Sequence, residues 1–123
     1  MNKDHAIQLT SFIEKFQKET PLYTIQTTPP TLMPYNYGEV IRDFQDYIYK
    51  HGLIRKDYND IEEIFSKNHE NKDWLGMLSE AEVLQCISLI IRSDRFIDGF
   101  IATMIENETL PALLKRLKEL DKI

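Results

Sequence analysis

Charged side chains concentrate in an otherwise apolar stretch, LQCISLIIRSDRFIDGF (residues 84–100), where Arg92, Asp94, Arg95 and Asp98 sit among Leu89, Ile90, Ile91, Phe96, Ile97 and Phe100. Guanidinium forks beside the free N–H groups of a helix start would form a site for phosphate or carboxylate. The same residues could instead pair with one another, because charge in a packed segment is normally paired. If Asp94 caps a helix, Arg95 and Asp98 stand three residues apart on its first turn, where they meet. Pairing is therefore the expectation: at least one of Arg92 and Arg95 mostly buried against a carboxylate, with Asp98 the partner of Arg95. Gly99 would then lie inside a helix at a cost of about 1 kcal/mol relative to Ala, implying that another group approaches closely. Arg92, Arg95, Asp98 and Gly99 are the candidate ligand-binding residues.

Other chemistry is thinly represented. The chain lacks a phosphate-loop motif, GxGxxG, HExxH, GxSxG and CxxC, so no catalytic residues are assigned. His5, His51 and His69 lie far apart without the i, i+4 spacing that sets two imidazoles on one helix face, so no metal site or cofactor is expected. Cys86, the lone cysteine, falls in an apolar segment and is expected to pack rather than react. Tyr35, Tyr37, Phe44, Tyr47 and Tyr49 could line a pocket, but Phe44 and Tyr47 follow a core stripe.

These residues must be positioned by a chain of 123 residues, enough for one modest core and hence one domain, 1–123. A net charge of -5 and the absence of a basic face argue against nucleic acid as a partner. No run approaches the roughly 18 apolar residues of a membrane helix, and nothing has the layout of a signal peptide. With one unpaired cysteine, the expectation is a cytoplasmic protein.

Helical spacing dominates the chain. Ala6, Leu9, Phe12, Ile13 and Phe16 form a stripe with Asp4 as its expected N-cap. Residues 21–34 hold four of the five prolines and read as an extended connector, with 22–25 at most a short strand. Val40, Ile41, Phe44, Tyr47 and Ile48 predict a helix closed by Gly52. Tyr58, Ile61, Ile64 and Phe65 predict a short helix capped by Asn59 or Asp60, followed by an exposed loop over 66–73 with Trp74 as anchor. Ser79 and Glu82 stand in capping-box register ahead of Val83, Leu84, Ile87, Ile90 and Ile91, whose breadth marks a central helix. A helix ending near Asn107 and a leucine-rich helix with Pro111 in its first turn complete an all-α, single-domain bundle of about six helices.

The segment LIIRSDRFIDGFIATMIENETLPALLKRLKEL resembles the signature of a family of small uncharacterised bacterial proteins, a domain of unknown function. Its pattern is Arg, two variable positions, Arg-Phe-x-(Asp or Glu)-Gly, an apolar helix, a turn and a leucine-rich helix with Arg-Leu. The matching positions are Arg92, Arg95, Phe96, Asp98, Gly99, Glu106, Asn107, Arg116 and Leu117, and the likeness extends weakly upstream to Met33. Ile97 replaces a frequent cysteine and Glu108 a glycine, which removes any mechanism built on that cysteine. Similar tails are attached in some proteins to macro domains that handle ADP-ribose.

Three functions follow as expectations. The first is a non-catalytic helical binding or interaction module for an unknown protein or small anionic ligand. The second is a small enzyme or sensor that holds an anionic, ADP-ribose-like ligand through Arg92 and Arg95, with Asp98 or Glu106 as an acid/base. The third, kept separate, is a structural homo-oligomer such as a homodimer.

Overall fold

The structure is a computed structural model describing residues 1–123. It is mostly helical. Helix α1 (Lys3–Lys18) leads into strands β1 (Tyr23–Ile25) and β2 (Tyr35–Tyr37), and α2 (Glu39–Lys50) follows. A 3-10 turn (Tyr58–Ile61) opens α3 (Glu62–Asn68), and α4 (Lys72–Leu75) is a single turn. Helices α5 (Glu80–Ser93), α6 (Phe100–Glu106) and α7 (Thr109–Asp121) complete the chain.

The local signals explain most helix ends. Ser79 Oγ accepts from Glu82 N and Glu82 Oε1 accepts from Ser79 N, so the two residues satisfy each other's orphan donors at the start of α5. Gly52 follows α2 with φ +63°, the left-handed conformation that Gly adopts without steric cost. Two caps and one loop differ from expectation. Asn2, not Asp4, caps α1 by accepting from His5 N at 2.8 Å. The segment after Gly52 winds first as a 3-10 turn, so neither Asn59 nor Asp60 caps α3, which starts at Glu62. Residues 66–73 are not all loop: α3 runs to Asn68, and Asn71 caps α4 by accepting from Asp73 N and Trp74 N.

The largest departure from an all-α reading is the two-stranded sheet. β1 and β2 pair antiparallel, with Tyr23 opposite Tyr37, Thr24 opposite Asn36 and Ile25 opposite Tyr35. The prolines do not prevent this, because Pro29, Pro30 and Pro34 lie outside the three-residue strands, where no ladder donor is required.

Helix α5 is the centre. Eight of its fourteen residues are buried, and that breadth requires neighbours on several sides. It packs against α6, α7 and the 3-10 turn, while α1 lies against α2 and α7. One apolar cluster draws residues from Leu9 to Leu117. Within it, Phe44 of α2 meets Phe12 and Phe16 of α1 edge-on, with ring centres 5.3 and 5.5 Å apart, an orientation that sets ring edges against ring faces.

Candidate functional site

The corner between α5 and α6 is built around two carboxylates, and neither meets an arginine. Asp94 ends α5, and its Oδ1 accepts from the Tyr37 hydroxyl at 2.5 Å and from Ile101 N at 3.0 Å. Ile101 is in the first turn of α6, where N–H groups have no partner within the helix. The residue preceding that helix is Gly99, which has no side chain to cap it, so Asp94 supplies the acceptor from the previous helix. Asp98 Oδ2 accepts from Tyr35 N at 3.0 Å. Together these bonds clamp β2 onto the corner. At the far end of α6, Glu106 accepts from the Tyr23 hydroxyl at 2.9 Å and holds β1.

Gly99 does not lie within a helix, as the spacing predicted. It precedes α6 with φ +76°, and a Cβ there would fall 2.6 Å from the Tyr35 ring. The close neighbour implied by a glycine at this position is thus the tyrosine of β2.

The expected pairing of arginine with carboxylate is not found. Neither Arg92 nor Arg95 is among the ion pairs, which involve Met1, Lys18, Arg55, Lys67 and Arg116. Arg95 is exposed, and its guanidinium approaches only the Tyr49 hydroxyl, at 3.5 Å. Arg92 is half-buried, with its guanidinium carbon 5.9 Å from the Tyr58 ring centre. The Tyr58 and Tyr49 hydroxyls, in that order, raise the Arg92 pKa above its ordinary value, although neither contact has full hydrogen-bond geometry. The physical reason is competition. Tyr35 N and the Tyr37 hydroxyl lose water when β2 docks and need an acceptor, whereas an exposed guanidinium stays hydrated.

Two positive charges therefore share one phenol, Tyr49, without a carboxylate between them. Beside them Phe96 is 87% exposed and Ile97 is 53% exposed. Tyr58, Asn59, Glu62, Leu89, Arg92 and Phe96 border a shallow depression of about 180 Å³. Two larger concavities of about 500 Å³ lie elsewhere: one among α1, α4 and α7, the other beside residues 52–57, and neither includes Arg92 or Arg95. Glu106, bonded to Tyr23 at the opposite end of α6, does not join the arginines, and Asp98 faces β2. An acid/base role alongside Arg92 and Arg95 thus has no support in the geometry. Sequence reasoning did not tie Tyr58, the exposed Phe96 or Tyr49, which it had set among possible pocket aromatics, to the arginines. The signal available for Tyr49 was its position off the core stripe of α2.

Cys86 is fully buried in α5. Burial first, and the Glu82 charge second, push its thiol up to about 12. The Tyr37 hydroxyl is likewise raised, by burial and then by its bond to Asp94. Both folded-state values lie above the unfolded ones, so the stabilisation is fully present below the unfolded pKa and is lost as pH rises. The Cys86 contribution should start to fall above its ordinary value of 9.0, and that of Tyr37 above 10.0. Urea midpoints should hold steady from neutral pH and decline above about pH 9, with a smaller decline in Cys86→Ala.

The site and fold define a mostly helical protein with a hairpin clamped to a cationic, aromatic corner. The chain belongs to a family of unknown function (DUF6508), whose model matches residues 1–122. No curated protein and no solved structure matches it. No helix is long and apolar enough to cross a membrane.

Proposed function

We propose that the protein is a non-catalytic interaction module whose α5–α6 corner receives an acidic segment of a partner protein carrying an apolar anchor. The observation that carries this reading is a loop, tied down by Asp94 and Asp98, that displays Phe96 and Ile97 beside two arginines without carboxylate partners. Aromatic residues and arginine dominate the binding energy of protein interfaces, and loops fixed in advance lose less entropy on binding. Acidic groups on the partner would supply the charge that Asp94 and Asp98 withhold.

The second reading, a nucleotide-like anion such as ADP-ribose held by Arg92 and Arg95, draws on the same free guanidinium groups. A depression of about 180 Å³ is smaller than the 300–1,000 Å³ of ordinary small-molecule pockets, which favours a peptide over a nucleotide. Residues 1–123 act as one domain in this proposal, since α1 through α7 contribute to a shared core. A reducing compartment such as the bacterial cytoplasm would keep Cys86 as a thiol.

The test is fluorescence anisotropy with labelled peptides rich in Asp and Glu around a central Leu or Phe, alongside thermal shifts with ADP-ribose. Binding should weaken with salt, and Arg95→Ala or Phe96→Ala should reduce affinity by about 5- to 30-fold, the loss typical of an interface hot spot. Arg95→Ala should alter unfolding stability by less than about 0.5 kcal/mol, because no carboxylate is stranded. Stabilisation by ADP-ribose without peptide binding would shift the assignment to the second reading. A concentration-dependent dimer lost in Phe96→Ala would make a second copy the partner.

A further inference from the structure

Histidines remote in the sequence are neighbours in the fold. His5, in the first turn of α1, and His51, which ends α2, have ring centres 4.9 Å apart and planes inclined by 49°. Tyr47 walls the pair, with its ring 4.3 Å from His51 and 6.0 Å from His5. His69 Nδ1 donates to its own helix at Phe65 O, 3.2 Å away, whereas neither His5 nor His51 has a ring nitrogen hydrogen-bonded to the protein. His51 is exposed and His5 half-buried, so the pair opens to solvent.

We propose that His5 and His51 form a two-imidazole clip for a borderline divalent cation of the Zn²⁺ or Ni²⁺ class, joining the start of α1 to the end of α2. Metal–nitrogen bonds of about 2.0–2.1 Å place each ring centre about 3.2 Å from a shared ion, so bond angles of about 90–110° separate the centres by about 4.5–5.2 Å. The observed 4.9 Å lies within that interval. Imidazole nitrogen suits Zn²⁺ and Ni²⁺, whereas Mg²⁺ and Ca²⁺ require oxygen donors. The chain carries a net -5, and Asp4 beside His5 offsets Lys50 beside His51. No third His, Cys, Asp or Glu completes the set, so water or an external ligand takes the remaining positions. The clip is thus an open site that captures a cation from solution and braces two helices.

Isothermal titration calorimetry and thermal shift on the full chain test this, with ZnCl₂ and NiCl₂ as probes and MgCl₂ as the contrast. Zn²⁺ should bind saturably at one ion per chain and raise the melting temperature, while Mg²⁺ should do neither. His51→Ala and His5→Ala should each weaken Zn²⁺ binding by at least about tenfold, and His69→Ala should leave it unchanged. Because His51 is exposed, His51→Ala keeps the test decisive if His5→Ala folds poorly. Absence of saturable Zn²⁺ binding, or undiminished binding in His51→Ala, would overturn the proposal.

Discussion

Gly99→Ala is expected to destabilise the protein by about 2–5 kcal/mol, a large effect for one methyl group. Two separable causes contribute. A backbone at φ +76° costs an L residue about 1–2 kcal/mol through its own Cβ. The new methyl also falls 2.6 Å from three atoms of the Tyr35 ring, so the ring or the strand carrying it must shift, adding about 1–3 kcal/mol for overpacking. The strand that carries the ring is held in place, because Tyr35 N is bonded to Asp98 and the Tyr37 hydroxyl to Asp94. A double-mutant cycle separates the terms: in a Tyr35→Ala background, Gly99→Ala should cost only the backbone part, about 1–2 kcal/mol. Equal costs in both backgrounds, read from urea denaturation, would show that the tyrosine contact is immaterial.

Ile90→Ala should likewise cost about 2–5 kcal/mol, the range for truncating a buried isoleucine. Ile90 has no exposed surface and lies on α5, whose eight buried residues leave few directions in which neighbours can relax. Ile90→Val, which removes one methyl, should cost about 0.5–1.5 kcal/mol. Ile64 provides the contrast, since half of it is exposed on α3, and Ile64→Ala should stay within about 0.5 kcal/mol. A loss below about 1 kcal/mol at Ile90 would contradict a central α5.

Much of the helical frame was legible without coordinates. The capping box of Ser79 and Glu82, the left-handed Gly52, Pro111 in the first turn of α7 and most of the apolar stripes appear as the spacing predicts, although Ile64, expected in the α3 set, is half exposed. Such features join residues three or four positions apart, whose separation is set by the helix itself. Where several nearby residues could serve, the resolution was poorer: Asn2 displaced Asp4 at α1, and a 3-10 turn displaced both expected caps of α3.

The wiring of the corner comes from contacts remote in the sequence. The bonds of Asp94 to Tyr37 and of Asp98 to Tyr35 span 57 and 63 residues, and nothing local foretells them. Spacing along α6 favoured Arg95 with Asp98, but α6 begins only at Phe100, and docking β2 brought donors that had lost water. An acceptor near such donors lowers the free energy more than one near a guanidinium that keeps its hydration. The encounter of His5 with His51 has the same origin, because the packing of α1 on α2 sets it and sequence separation does not. Local spacing thus marked most of the helices and their apolar faces, while the contacts that fold those helices together set which charges stay without a carboxylate partner.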